Sequence, residues 1–211
     1  MSPPAFDDAR SHWNTRFARP GYLFGTAPNA WLTQQASRLK PGMRALCVAD
    51  GEGRNSVWLA RQGLQVEAFD IAELAVEKAR ALASQRGVEI GAQCCSVDEW
   101  QWLPDSADLV VAIFVQFADP EMRARMFAGM KRSLAPGGLL LLQGYALDQL
   151  ALGTGGPGRP EHLYTPELLR SLCTGLEIIE LSQYQAELAE GSQHVGMSAL
   201  IGLVARKPVQ G

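Results

Sequence analysis

Ala45-Leu46-Cys47-Val48-Ala49-Asp50-Gly51-Glu52-Gly53-Arg54-Asn55-Ser56 decides the fold of this chain. An apolar run passes through a glycine turn into the start of a helix. Gly51 and Gly53 allow backbone angles that other residues avoid, and they let a ligand approach the main chain closely. The first amides of the following helix then point into the crevice at the carboxyl ends of the strands. Asp70 closes the next apolar run, 19 residues after Gly51. A carboxylate there can accept hydrogen bonds from both hydroxyls of a ribose. The bland alternative is a plain glycine turn beside a surface aspartate. The spacing and the flanking strands argue instead for a nucleoside-bearing cofactor.

Outward from this stretch, strands and helices alternate. Arg44–Ala49, Leu64–Asp70, Ile90–Ser96, Ala107–Phe114 and Leu139–Tyr145 read as strands. Asn55–Gln62, Ala72–Gln85 and Pro120–Leu134 read as the helices between them, and Pro136-Gly137-Gly138 reads as a turn. The near-continuous apolar character of Ala107–Phe114 suits a strand covered on both faces. This pattern predicts an α/β fold with a Rossmann-like, doubly wound, mostly parallel sheet of seven strands. Leu176–Ala189 and Met197–Ala205, joined by a turn over Gly191–Gly196, predict an antiparallel hairpin at one edge. Thr165–Cys173 reads as a helix capped by Thr165, and Leu152–Pro160 as a loop rich in glycine and proline. On the amino-terminal side, residues 1–9 read as loose, Asp8–Ala18 as a short helix and Arg19–Asn29 as an aromatic loop. Ala30–Leu39 reads as a helix with Asn29 as its cap. The chain thus divides into a helical, aromatic cap or lid over residues 1–42 and a core over 43–211, within one domain.

The bulk numbers narrow the function classes. The 211 residues suffice for one α/β domain. Nineteen Lys and Arg against 22 Asp and Glu give a net charge of −3, without a basic cluster, so nucleic acid is not an expected partner. No apolar run is long enough to span a membrane, and Met1–Arg10 has no signal-peptide core. Cys47, Cys94, Cys95 and Cys173 form no C-x-x-C pair and read as buried free thiols of a cytoplasmic protein. No Cys/His group has metal-ligand spacing. Nothing in the sequence specifies an oligomeric state.

A dinucleotide-binding oxidoreductase is the rival reading, because Gly51, Gly53 and Ser56 nearly fit G-x-G-x-x-G. Two features disfavour it. The turn follows a long aromatic extension, whereas such folds usually begin at their first strand. Glu52 would also repel a pyrophosphate lying on the turn.

Cys47 to Ser56 resembles motif I of class I S-adenosylmethionine-dependent methyltransferases, and Leu134-Ala135-Pro136-Gly137-Gly138 resembles their fifth-strand signature. Three further stretches resemble the tellurite-resistance and thiopurine methyltransferase branch. One is Trp13-Asn14-x-Arg16-Phe17 with Tyr22-x-Phe24-Gly25-x-x-Pro28-Asn29. The others are Gly153–Pro157 with Leu163-Tyr164-Thr165, and Gly191-x-x-His194-x-Gly196-x-Ser198-Ala199. The resemblance implies S-adenosylmethionine as cofactor, S-adenosylhomocysteine as product, and a small-molecule methyl acceptor. It assigns the cofactor to Ala49, Asp50, Gly51, Gly53, Asn55, Asp70, Ile71, Ser96, Val97 and Phe114. Asp70 would hold the ribose and Ile71 flank the adenine. Phe114 would lie near the sulfonium, with simple core packing as its alternative. The chain departs from the family at Cys47, where an acid is usual, at Ala49, which replaces a glycine, and at Ser96. Ser96 stands where an acid usually meets the adenine amino group, with Asp98 as competitor. The departures at Cys47 and Ala49 admit a third reading, a cofactor-binding member of the fold without turnover.

Methyl transfer from a sulfonium depends chiefly on positioning. A soft acceptor such as a thiol, selenium or tellurium species needs little help from a base, whereas oxygen or nitrogen acceptors usually want one. The candidates for a catalytic role are His194, Tyr22 and Arg159. His194 reads equally well as a solvated turn residue, and Tyr22 and Trp13 as anchors of the first helix. His12 and His162 read as surface residues.

Overall fold

A computed structural model of the chain describes residues 6–209. The loose start expected for residues 1–9 lies outside these up to Ala5, and the first helix, α1, already covers Phe6–Phe17. The strands are β1 (Arg44–Val48), β2 (Gln65–Asp70), β3 (Gly91–Cys94), β4 (Ala107–Ile113), β5 (Leu134–Tyr145), β6 (Glu177–Glu190) and β7 (His194–Arg206). The remaining helices are α2 (Ala30–Gln34), α3 (Arg54–Arg61), α4 (Glu73–Gln85), α5 (Pro120–Ser133), α6 (Gln149–Leu152) and α7 (Pro166–Leu172).

The strands form one sheet in the order β3-β2-β1-β4-β5-β7-β6. β1 to β5 are parallel, while β7 runs antiparallel between β5 and β6. The order reverses between β1 and β4, and ligands of open α/β sheets bind at the carboxyl ends of the strands at such a switch point. The sheet is covered on both sides. Along β1, Leu46 and Val48 join one core with Phe69, Val110, Phe127 and Leu140. Ala45 and Cys47 join the other with Trp31, Leu59, Val66 and Leu141. This is the two-residue alternation of a strand buried on both faces.

The sequence signals act through identifiable bonds. Asn29 Oδ1 accepts the Leu32 N–H at 2.9 Å and caps α2. Asp119 caps α5 at 2.8 Å ahead of Pro120, and Thr165 caps α7 at 3.2 Å ahead of Pro166.

Four elements differ from the sequence reading. The helix expected over Ala30–Leu39 stops at Gln34 and continues as a 3₁₀ turn over Ala36–Arg38, where the Gln35 N–H bonds back to Leu32 and Thr33. The Pro136-Gly137-Gly138 turn lies inside β5, which first pairs Leu134 with Ala107 and then resumes at Leu139 opposite Leu109. β3 ends at Cys94, so Ser96 lies beyond the sheet. The polar turn between the last strands shrinks to Gly191–Gln193, because β6 and β7 stay paired up to Glu190 and His194. His194 is therefore the first residue of a strand. Cys94 is exposed rather than buried, and Cys95 half-buried, while Cys47 and Cys173 are buried as expected.

Gly53 sets the distance between α3 and α4. Its φ of 88° is left-handed, and a Cβ there would lie 2.7 Å from Ala79 Cα on α4. Gly53→Ala therefore meets both backbone strain and a clash with main chain. It should destabilise the fold by at least about 2 kcal/mol, read as a lower urea midpoint at unchanged slope.

Candidate functional site

β1 ends at Val48, and Ala49 turns left-handed at φ 48°. The Asp50 N–H bonds Phe69 O at 3.0 Å, tying the turn to β2. The Asp50 carboxylate turns back to cap α3, accepting the Ser56 hydroxyl and the Ser56 N–H, the latter at 3.3 Å. Asp70 bridges two elements. One oxygen accepts the Gly51 N–H at 2.9 Å and the other the Ala72 N–H at 2.9 Å. Burial nevertheless pushes its carboxyl up to about 6, against the pull of these two bonds and of the Ile71 N–H. Burial likewise raises Asp50, moderated by Ser56.

A cleft of about 570 Å³ opens above these residues at the switch point. One end is bounded by Asp70, Ile71, Ser96, Val97 and Asp98. There the Ser96 N–H bonds Glu99 at 2.8 Å, while Ser96 Oγ accepts the Glu99 N–H at 3.2 Å. Arg125 grips both oxygens of Asp98 at 2.8 and 3.0 Å and holds that carboxyl below its usual range.

A buried polar network closes the opposite side. Arg54, the first residue of α3, pairs with Glu190 at 2.8 Å, with side chains 7% and 10% exposed. The other Glu190 oxygen accepts the Asn29 amide at 2.9 Å and the Ala30 N–H at 3.1 Å. The same Asn29 amide reaches Gln143 at 2.7 Å, and Asn55 Oδ1 accepts the Asn29 N–H at 3.0 Å. Burial works against ionisation of Glu190, but His194, Arg54 and the Ala30 N–H outweigh it and hold the carboxyl at about 2. His194 Nδ1 lies 3.7 Å from Glu190 Oε2, and burial lowers the imidazole's pKa, leaving it neutral at pH 7.

Aromatic rings wall the rest. Phe114, left-handed at φ 56° just beyond β4, lies 4.3 Å from the His194 ring and 4.8 Å from that of Tyr145. Phe24 of the amino-terminal loop covers His194 at 4.6 Å, and Trp13 and Phe17 of α1 also face the cleft. Glu52 anchors this cap, accepting the Leu23 N–H at 2.6 Å and pairing with Lys78 at 2.8 Å.

Ten residues expected at the site do face the cleft: Ala49, Asp50, Gly51, Asn55, Asp70, Ile71, Ser96, Val97, Phe114 and His194. Three do not. Gly53 is turned toward α4, for the packing reason given above. Tyr22 packs with Val57, Leu82 and Ala83, its hydroxyl 3.4 Å from Lys78 O, so it anchors the cap from outside. Arg159 is exposed on its loop, away from the cleft. His162 is half-buried, with Nδ1 2.9 Å from Gln116 O, rather than a plain surface residue. Glu52 is buried under the cap with Lys78 for a partner, so its charge does not fall on the turn. The sequence reading missed Glu190 and Tyr145. Only adjacency to Gly191 and a place at the end of an apolar strand marked them.

The family model of a methyltransferase domain matches residues 45–138. A ribosomal protein L11 methyltransferase of Symbiobacterium thermophilum is 31% identical over 133 residues, 59% of this chain. The match spans only 41% of that relative's length. The N-methyltransferase NodS of Bradyrhizobium japonicum WM9, solved with S-adenosyl-L-homocysteine, superposes with a TM-score of 0.72 at 17% identity, over 96% of this chain and all of that one (100%). TehB of Haemophilus influenzae superposes with a TM-score of 0.70 at 18% identity, over 94% of this chain and 66% of that one. Residues 45–138 thus match a methyltransferase domain model, and the fold as a whole matches that of NodS and TehB.

Breaking the Arg54–Glu190 pair leaves a buried charge uncompensated. Glu190→Gln should cost about 3–5 kcal/mol of stability at pH 7. The double variant Arg54→Met, Glu190→Leu should recover most of it, in guanidinium unfolding curves. The Glu190 carboxyl is depressed, so the stability it contributes is complete above about 4.5 and lost as the pH falls toward 2.

Proposed function

We propose that this chain, built on a methyltransferase domain, binds S-adenosylmethionine in the cleft and passes its methyl group to a small molecule. Asp70 is the observation that carries the reading. A carboxylate has about four lone-pair directions. Gly51 and Ala72 take two and the Ile71 N–H also faces the carboxylate, which still leaves acceptor capacity for a ribose hydroxyl. The residues present fit the rest of the cofactor. Arg54 faces the cleft with a buried Nη1 that has no hydrogen-bond partner, beside the first amides of α3. That pair of donors suits the methionine carboxylate. Ile71 and Val97 offer apolar faces to the adenine, with Ser96 and Asp98 at its edge. The Phe114 ring suits the sulfonium. When bound, the cofactor supplies a methyl group activated by positive charge on sulfur.

The size of the cleft favours a small acceptor. Sites of about 300–1,000 Å³ hold one drug-sized ligand, so little room remains beside the cofactor. The sequence resemblance to the tellurite-resistance branch keeps a soft acceptor, a thiol or a selenium or tellurium species, within this reading. Free thiols favour a reducing compartment such as the cytoplasm. An oxidoreductase is disfavoured by the sheet itself, since β7 runs antiparallel beside β5 where the dinucleotide fold has a sixth parallel strand.

S-adenosylmethionine and S-adenosylhomocysteine should raise the melting temperature, and NAD and NADP should not. Stabilisation by NAD alone would overturn the reading. Asp70→Ala should weaken cofactor binding at least about tenfold, the scale of one charged hydrogen bond. Wild-type affinity should fall as the pH drops through about 6, because a protonated Asp70 loses acceptor capacity. In calorimetric titrations Asp70→Asn should show no such fall.

A further inference from the structure

We propose that the methyl acceptor is a phenol-type hydroxyl on a flat ring, positioned by Tyr145 Oη and deprotonated by His194. This rests on the cofactor reading above. Four residues built by four separate segments converge on one end of the cleft. Phe24 and Phe114 lie on the His194 ring at 4.6 and 4.3 Å, and Tyr145 meets it edge-on at 5.9 Å. All four face the cleft.

Tyr145 is 2% exposed, and its hydroxyl finds no hydrogen-bond partner. A buried hydroxyl left unpaired carries a desolvation penalty, and a ligand hydroxyl would remove it. The position is actively held. Gln116 accepts the Tyr145 N–H at 2.6 Å and donates to Tyr145 O at 2.8 Å.

The charged and titratable groups facing His194 are Glu190 from β6, Arg54 from α3, Arg16 from α1 and Tyr145 from β5. Glu190 and Arg54 neutralise each other. Arg16 is occupied by Gln193 at 3.0 Å and by the Trp13 ring at 4.6 Å. Neither contact neutralises Arg16, so this end of the cleft carries one positive charge, on a guanidinium already engaged by neutral partners. Otherwise this end offers apolar ring faces, one unpaired hydroxyl and one neutral imidazole. The Glu190 carboxylate 3.7 Å from Nδ1 favours the tautomer that carries its proton there, which leaves the Nε2 lone pair as the proton acceptor.

These features select the acceptor by its acidity. A phenolic hydroxyl, with a pKa near 10, is within reach of an imidazole, whereas an aliphatic alcohol is far weaker. A flat ring also suits walls of Phe and Tyr. In the step itself, the phenolic oxygen gives a lone pair to the methyl carbon as the carbon–sulfur bond breaks toward sulfur. The phenolic proton moves to His194 Nε2, and the imidazolium later loses it to water. The products are an aryl methyl ether and the neutral thioether.

The test uses the full chain and 4-nitrophenol, whose phenolate absorbs in the visible. Calorimetry with S-adenosylhomocysteine comes first. Failure to bind it overturns the cofactor reading, and this inference with it. With S-adenosylhomocysteine saturating, 4-nitrophenol is added at a pH where the free probe is mostly protonated. We expect saturable binding with growth of the phenolate band. His194→Asn should bind the probe but cut the band at least fivefold, and Tyr145→Phe should weaken probe binding at least fivefold. Absence of binding, or an undiminished band in a folded His194→Asn protein, overturns the acceptor inference alone. Should that variant not fold, the wild-type pH profile decides, since the bound phenolate must persist below the free probe's own transition. Methyl transfer to thiols, selenite or tellurite, with none to phenols, also overturns it.

Discussion

The ion pair of Arg54 with Glu190 joins three parts of the molecule that the chain presents far apart. Arg54 opens the helix after the glycine turn, Glu190 ends the strand at the sheet's far edge, and Asn29 with Ala30 begins the cap. Burial makes the arrangement demanding. Two charges removed from water must find each other and must also fill their remaining hydrogen-bond capacity. Glu190 Oε1 does so with Asn29 and Ala30, whereas Glu190 Oε2 has the Arg54 ion pair and Arg54 Nη1 has no hydrogen-bond partner. The same pair therefore closes the fold and leaves one buried Arg54 nitrogen without a partner.

Two buried carboxylates show how the surroundings divide the work. Asp70 is raised to about 6 because burial, helped by the nearby Asp50, outweighs its three backbone donors. Glu190 is lowered to about 2 because His194, Arg54 and a backbone donor outweigh burial. The first is a carboxylate with acceptor capacity to spare, and the second is spent on the fold. Their residue types are nearly identical, and only the neighbours separate the roles.

Two of the three left-handed non-glycine residues among those described lie at the same place. Ala49 and Phe114 follow the adjacent strands β1 and β4, and both adopt left-handed angles that side chains disfavour. Such angles persist only where the surroundings enforce them. Here the Asp50 N–H is fixed on Phe69, and the Phe114 N–H on Gln143 at 2.8 Å. The effect is to turn the chain abruptly out of the sheet and to lay the Phe114 ring against His194.

The order of elements, the glycine turn, Asp70 and the capping residues Asn29 and Thr165 were legible in the sequence, because each depends on neighbours a few residues away or on strand periodicity. Helix ends and strand ends were less so: the long pairing of β6 with β7 drew His194 out of its expected turn and into the ladder. The roles of Gly53, Tyr22, Glu52 and Arg159 could not be read locally, since each depends on what lies opposite. Gly53 faces Ala79, Tyr22 the α4 main chain, Glu52 Lys78 and Leu23, and Arg159 only solvent. Local pattern alone thus determined a parallel α/β sheet with a nucleoside-type turn at its switch point. Tertiary packing alone decided which charged groups were neutralised, which hydroxyl was left unpaired and which rings met over the cleft, because burial and long-range contact set those energies.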